Sequence, residues 1–154
     1  MEIDITKIVQ EIQYVLAPAV MVSSSALLLL GFQNKFSNLA NRFRSLNHER
    51  RLLSLKPNRD SIEEGRLKSL SEQVEHLAKR AGYVKNAILF AYSAIVCFLI
   101  TSVLIFLNIY VAFHSFLWAI CVFVLGLLLL LVGSCLMILE TRILYKVITL
   151  EKES

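Results

Sequence analysis

Three long runs without a charged residue constrain this chain more than any other feature. They are Tyr14–Phe32, Ala87–Phe113 and Phe116–Leu139, with 19, 27 and 24 residues. A helix of about 20 apolar residues is long enough to cross the hydrocarbon core of a bilayer. The second and third runs are too long and too uniformly apolar for buried helices of a water-soluble protein. The sequence therefore predicts an all-α integral membrane protein with three transmembrane helices.

The distribution of charge predicts how these helices are oriented. Residues 34–85 carry twelve Lys or Arg and six Asp or Glu, which gives this segment a net charge of +6. Residues 1–13 have one Lys and three acids, a net charge of −2. Because cytoplasmic segments next to transmembrane helices are enriched in Lys and Arg, we expect residues 34–85 and the C-terminus to be cytoplasmic and the N-terminus to lie outside.

These features divide the chain into six segments. Residues 1–13 are amphipathic and predict an outer interfacial helix. The link between the second and third transmembrane helices is only His114–Ser115. The remaining segments are transmembrane helix 1 over 14–33, a basic cytoplasmic region over 34–85, transmembrane helix 2 over 86–113, transmembrane helix 3 over 116–139 and a cytoplasmic tail over 140–154.

Residues 34–85 show the spacing of a two-helix coiled coil. Apolar residues recur every three or four positions on both sides of Pro57, and each series runs into a transmembrane helix. Pro57 predicts the end of the first arm, and Asp60 with Glu63 forms a capping-box pattern at the start of the second. We therefore expect an antiparallel cytoplasmic helical hairpin, a coiled-coil stalk, with its tip near Pro57–Asp60. The two series are Phe32, Phe36, Leu39, Phe43, Leu46, Leu53 and Leu67, Leu70, Val74, Leu77, Ala81, Val84, Ile88.

Patterns that indicate catalysis or metal binding are scarce. His48 and His76 fall in the predicted stalk and His114 falls outside, so sequence neighbours form no His/Cys metal site. The chain has no glycine-rich phosphate loop, no nucleophile elbow and no His-Glu-x-x-His motif. The basic residues of the stalk alternate with acids, which does not favour nucleic-acid binding. We expect no enzyme activity, no cofactor, no metal and no nucleic-acid partner.

Small and polar residues at helical spacing are more informative. Ala119, Gly126 and Gly133 repeat every seven residues in transmembrane helix 3, and Glu140 continues the series. Small residues on one stripe let transmembrane helices approach closely. Asn108 in transmembrane helix 2 is costly to expose to lipid, so we expect it to face protein or water. We interpret Asn108, Ala119, Gly126 and Gly133 as helix-packing residues, with a water-filled path as the alternative.

Transmembrane helix 1 has the most polar surface of the three. One side is apolar with heptad spacing, and the other sides carry small, polar and then basic residues. Three helices cannot enclose a pore and also bury their own contacts, so a pore requires several subunits, with this helix as the lining. Basic residues at the inner mouth would favour anions. The candidate pore-lining residues are Ser23, Ser24, Gln33, Lys35, Asn38 and Arg42, whereas Ser25 precedes the apolar side and is expected to pack.

Two functions fit this organisation. The first is a homo-oligomeric ion channel in the lipid bilayer, with transmembrane helix 1 lining the axis and an anion preference from basic rings. The alternative is a non-conducting membrane scaffold or sensor. Its cytoplasmic hairpin would then serve for self-assembly or for binding a cytoplasmic protein partner.

The run LAPAVMVSSSALLLLGFQNKFSNLANRFRSL, Leu16–Leu46, resembles the start of the domain of unknown function 2721 family of small bacterial membrane proteins. The similarity lies in the Pro18-containing start, the Ser/Leu-rich helix, the Asn34–Lys35 exit and the basic ending. With the stalk and the two later helices it extends over nearly the whole chain. Lys35 stands where arginine is more usual, which keeps the charge but loses bidentate geometry. The resemblance implies a multi-pass protein of the bacterial inner (plasma) membrane, and it assigns no activity and no functional residues.

Overall fold

The computed structural model describes residues 5–56, 60–111 and 116–153. They form three α-helices in the order α1 (Ile5–Ser54), α2 (Ser61–Val111) and α3 (Phe116–Glu153). Each helix contains a stretch that is long and apolar enough to cross a membrane. The prediction of an all-helical chain with three apolar helices of membrane-spanning length is therefore confirmed. The predicted turn residue Pro57 and the predicted link His114–Ser115 lie outside the described residues.

The exposure of the apolar helices supports a multi-pass membrane protein. In the most apolar stretch of α3, only 11% of the residues are buried by the rest of the chain. Water-soluble monomers rarely expose large contiguous apolar patches, so lipid or further protein must cover this surface. The competing interpretation of the sequence is a water-soluble bundle. Such a bundle would bury its apolar helices, which are exposed here.

α1 is continuous from Ile5 through the predicted interfacial segment, transmembrane helix 1 and the first half of the basic region. Pro18 lies inside it and is buried. Proline has no backbone N–H, so one helical hydrogen bond is missing at this position. Interior prolines are tolerated in transmembrane helices because neighbouring groups compensate for the freed carbonyl. The described part of residues 1–13 is therefore the beginning of α1.

α2 begins at Ser61, directly after Asp60. The carbonyl of Asp60 accepts a hydrogen bond from Glu64 N–H at 3.1 Å. This is the backbone arrangement of a helix N-cap, whose carbonyl accepts the first bond of the helix. The capping-box pattern in the sequence predicts the same residue, Asp60, as the N-cap.

α2 is the central helix, because it packs along both α1 and α3, whereas α1 and α3 make few contacts with each other. Leu29 and Phe32 of α1 pack with Ala87 and Ala91 of α2. Farther along α1, Leu39 packs with residues that come earlier in α2, namely Leu77 and Val84. The contacts thus run in opposite order along the two helices. Phe32, Leu39, Leu77 and Val84 of the predicted apolar series are buried, whereas Phe36 of that series is exposed.

Candidate functional site

The three helices meet around the carboxylate of Glu140, near the basic end of the apolar segments. Glu140 lies on α3 and is fully buried. It follows Gly133 by seven residues, about two helical turns, so it lies on the same face of α3 as the small-residue stripe. Gly133 contacts Ala87 and Phe90 of α2. The face that brings α3 close to α2 therefore also carries a buried acid into the helix junction.

Arg80 of α2 holds one oxygen of this carboxylate. Its Nε and Nη2 both donate to Glu140 Oε1, at 3.0 and 2.8 Å. Hydrogen bonds between ionised groups are shorter and about twice as strong as neutral ones. The Arg80 side chain is itself largely buried, at 13% exposure. The pair therefore fixes the relative position of α2 and α3 at this level.

Lys35 of α1 contacts the other carboxylate oxygen. Its Nζ forms an ion pair with Glu140 Oε2 and donates a hydrogen bond to Thr141 Oγ1 at 2.9 Å. Glu140 Oε2 is buried and has no hydrogen-bond partner among the described residues, so its compensation there is this ion pair with Lys35. The Lys35 side chain keeps 29% exposure. We refer to Lys35, Arg80 and Glu140 as the ion triad.

The ion triad connects all three helices with two cations and one anion. Taking an unpaired charge out of water is costly, and a buried ion is tolerated only when partners compensate for the lost hydration. Glu140 therefore needs both α1 and α2 beside it. Close by, Gln33 Nε2 of α1 donates to Tyr92 Oη of α2 at 2.7 Å. These contacts fix how α1 is rotated about its own axis.

The ion triad shows which way the polar side of α1 is turned. Ser24, Gly31, Lys35, Asn38 and Arg42 follow one another at intervals of seven, four, three and four residues, so they share one side of the helix. Since Lys35 reaches Glu140 and Thr141, this side is turned toward α3. We call these five residues the polar face of α1.

The structure separates the candidate pore-lining residues into two groups. Lys35 enters the ion triad and Gln33 binds Tyr92. The other four, Ser23, Ser24, Asn38 and Arg42, are exposed on the surface of the chain. Ser25 is fully buried and donates to the Met21 carbonyl at 2.6 Å, as its place before the apolar side predicts.

Of the four candidate packing residues, three line the α2–α3 side of α3. Ala119 is buried. A Cβ placed on Gly126 would lie 2.8 Å from the Phe98 ring, and one on Gly133 would lie 3.1 Å from the Ala87 carbonyl oxygen. Asn108 on α2 is half-buried, and its Nδ2 is enclosed without a hydrogen-bond partner among the described residues.

Arg80 and Thr141 are the site residues that the sequence does not indicate. Arg80 is one of twelve basic residues between positions 34 and 85, and nothing local distinguishes it from the others. A weak signal exists at Glu140, because an acid that continues a small-residue stripe beside a basic segment predicts a basic partner. Which of the twelve cations supplies that partner depends on how α2 is placed against α3.

The remaining chemistry of the described residues is limited. Within 5–56, 60–111 and 116–153 no group of three or more His, Cys, Asp or Glu residues is arranged to hold a metal ion. Cys97, Cys121 and Cys135 are free thiols.

A family model described as Protein of unknown function (DUF2721) matches residues 15–150. No curated protein and no solved structure matches the chain. The matched range contains the three residues of the ion triad and the whole polar face of α1.

Proposed function

The chain belongs to the DUF2721 family of proteins of unknown function, and we propose that this member is a homo-oligomeric ion channel of the bacterial inner (plasma) membrane with α1 lining the axis. The observation that carries the proposal is the exposed polar face of α1. Ser24 lies inside the apolar run Tyr14–Phe32 and is exposed on the surface of the chain, as are Gly31 and Asn38.

A single chain does not provide cover for this face. Polar groups at membrane depth almost always face protein or a water-filled cavity. α2 already packs against α1 and α3, and α1 and α3 make few contacts, so the polar face has open space beside it. Further copies of the same chain, arranged around an axis next to α1, would cover the face and would enclose a polar path.

The orientation that goes with this proposal places residues 34–85 in the cytoplasm as an antiparallel helical hairpin. Its net charge of +6 supports a cytoplasmic location. The contacts of Leu39 with Leu77 and Val84 support an apolar seam between the arms. Farther from the membrane, Arg66 Nε donates to Glu49 Oε1 at 3.1 Å between α2 and α1, which supports continued pairing toward the tip.

Arg42 is the residue to which we assign the anion preference. The charge of Lys35 is compensated in part by Glu140 within the same chain, so it contributes less to an electrostatic field. Arg42 lies on the same polar face, is exposed, and has no described carboxylate within ion-pair distance. A ring of such guanidinium groups at the inner mouth would concentrate anions.

Cysteine accessibility and ion selectivity test the channel together. In a background with Cys97→Ala, Cys121→Ala and Cys135→Ala, we expect Ser24→Cys to react with a membrane-impermeant thiol reagent and to lose conductance in liposomes. The thiolate is the reactive form and forms only in contact with water, so a cysteine at Leu30, which is 54% exposed on another side of α1, is expected to stay unmodified in lipid. Arg42→Glu is expected to move the reversal potential toward cations, whereas Arg44→Glu, exposed on another side of α1, leaves it unchanged.

Three results would contradict the channel. They are the absence of conductance in any condition of voltage, pH or membrane tension, equal reactivity of the cysteines at positions 24 and 30, and equal effects of Arg42→Glu and Arg44→Glu. A monomer in lipid nanodiscs by native mass spectrometry would also exclude it.

A second function, the non-conducting scaffold or sensor, is favoured by one observation at the far end of the stalk. Leu55 and Ile62 are 78% and 82% exposed; Leu55 directly follows α1, and Ile62 is the second residue of α2. Large apolar side chains grouped on an exposed surface indicate a contact site. In this alternative the tip of the hairpin, defined by these two residues, joins copies of the chain or binds a cytoplasmic protein.

Self-assembly through the tip can be tested by charge. We expect Leu55→Asp combined with Ile62→Asp to lower the subunit number in nanodiscs, because desolvating a carboxylate in an apolar contact is costly. Gln73→Asp, which introduces the same charge at an exposed position of the stalk, serves as the matched control. An unchanged subunit number in the double variant would rule out assembly through the tip.

A further inference from the structure

An apolar cavity of about 150 Å³ lies between the three helices at the end of the apolar segments opposite the ion triad. Thr101 and Ile105 of α2 form its floor. Ala17 of α1 and Ala119 of α3 are among the residues of its two walls. The space exists because α1 and α3 are held apart by α2 and because small side chains leave the gap between them open.

An aromatic pair forms part of the cavity lining at its outer end. Tyr14 of α1 and Phe116 of α3 meet edge to face, with ring centroids 6.1 Å apart and an interplanar angle of 68°. Edge-to-face contacts at this separation are favourable. This pair and the contacts of Lys35 with α3 are two of the described places where α1 and α3 touch. The cavity is thus the outer end of a groove between α1 and α3, with α2 as its base.

The lining of the cavity is wholly apolar. Two of its lining residues, Tyr14 and Thr101, carry hydroxyls. That of Thr101 donates to the Cys97 carbonyl at 2.8 Å and is satisfied within α2. A water molecule needs two to four polar partners, and apolar cavities of this size stay dry but accept apolar molecules as large as benzene. Water is therefore excluded as the occupant.

We propose that this cavity is a binding site for the acyl chain of a membrane phospholipid. The surface around its opening is lined by large exposed apolar residues, among them Leu16, Leu117 and Ile120. In a bilayer such a surface is bathed in acyl chains, and an empty cavity of this size would forfeit packing contacts on all its walls. The site depends only on membrane insertion, and its assignment to the outer leaflet rests on the proposed orientation.

Tyr14 explains how a lipid would be oriented in the site. Its ring is half exposed, and tyrosines at membrane boundaries place the hydroxyl at headgroup level with the ring body in the apolar region. A lipid whose headgroup lies beside Tyr14 can direct its chain past the aromatic pair into the groove. The chain would then contact α2 between two helices that barely touch each other, and it would complete their packing.

Photolabelling distinguishes this site from ordinary lipid contact. The protein is placed in nanodiscs of phosphatidylethanolamine and phosphatidylglycerol with a trace of phosphatidylethanolamine that carries a diazirine in its acyl chain, and labelled residues are mapped by mass spectrometry. Val103, 57% exposed, is expected to be labelled by bulk lipid, whereas Ile105, only 8% exposed, can be labelled only by a chain inside the cavity. We expect label on both.

Filling the cavity gives the matched comparison. Ala17→Phe places a ring in the space, so label at Ile105 is expected to be lost while label at Val103 remains. Ala26→Phe, the same change at an exposed position of α1 that does not line the cavity, is expected to leave both labels intact. In lipid-depleted detergent Ala17→Phe is expected to raise the thermal midpoint, because filling a cavity restores lost contacts.

The proposal is overturned by any of three results. Ile105 is unlabelled in the unaltered protein, its label persists in Ala17→Phe, or Ile105 crosslinks to a neighbouring copy, which would mean that a second subunit fills the space. None of these readouts depends on conductance, so the lipid site and the channel can fail separately.

Discussion

Replacing Arg80 with methionine is expected to destabilise the protein more than any other single substitution in the ion triad. The change leaves Glu140, which is fully buried, with Lys35 as its one remaining ionic partner in the triad. Removing one member of a buried ion pair costs about 3–5 kcal/mol, because the other charge stays out of water without compensation. We expect a large fall in the thermal midpoint of the detergent-solubilised protein.

Removing the acid instead, by Glu140→Gln, is expected to destabilise the protein less, by about 2 kcal/mol, because the charge-assisted hydrogen bonds are lost. Lys35 and Arg80 keep 29% and 13% exposure, and long basic side chains can extend toward the membrane surface. Glu140 has no such route. The predicted order of destabilisation is therefore Arg80→Met, then Glu140→Gln.

A double variant shows whether the stability of the protein depends on the Arg80–Glu140 interaction or on each side chain separately. Arg80→Met combined with Glu140→Met removes both charges, and an apolar replacement of a buried ion pair is often neutral or stabilising. We expect its thermal midpoint to lie above that of Arg80→Met alone, which is the signature of coupled residues. Arg42→Met, at an exposed position, serves as the control. Equal effects of Arg80→Met and Arg42→Met would refute the triad.

Gly133→Leu is expected to prevent α3 from packing on α2. Even a Cβ at this position would lie 3.1 Å from the Ala87 carbonyl oxygen and 3.4 Å from Phe90 Cβ. The first of these neighbours is backbone, so it cannot rotate away and the whole of α2 would have to move. Overpacking of this kind costs about 1–3 kcal/mol for added methylenes, and separation of the helices would also pull Glu140 from Arg80. We therefore expect little folded protein.

Gly126 gives a second test of the same contact. A Cβ there would meet the Phe98 ring at 2.8 Å. That ring is fully buried and packs against Phe123 with centroids 5.5 Å apart, so it has no free space to enter. Gly126→Leu is expected to be destabilising as well, though less than Gly133→Leu, because a side chain can adjust more than a backbone.

Gly31→Leu is the control, since a Cβ at Gly31 has nothing within 4 Å. We expect it to leave the thermal midpoint and the yield of folded protein unchanged, both measured by fluorescence-detected size-exclusion chromatography. If Gly31→Leu proved as disruptive as Gly133→Leu, close packing between α2 and α3 would not be the reason for the loss. Because Gly31 lies on the polar face of α1, a folded Gly31→Leu protein also tests the channel, where it is expected to reduce conductance.

The sequence by itself determined the number, type and apolar faces of the helices. Uncharged runs of 19 to 27 residues predict membrane-spanning helices because the bilayer sets a minimum length. Heptad spacing predicted that Leu39, Leu77 and Val84 would be buried, and they are. These properties are local, since they depend on residues within a few turns of one another.

Only the tertiary structure decided which helix lies in the centre and which charges meet. The positions of Lys35, Arg80 and Glu140 are separated by 45 and 60 residues along the chain, and their pairing depends on the rotation and register of three long helices. The cavity behind Tyr14 and Phe116 has the same origin, because it exists only where α2 holds α1 and α3 apart. Periodicity fixes the face that a helix buries, but it does not fix the partner that the face meets, because many partners satisfy the same apolar spacing.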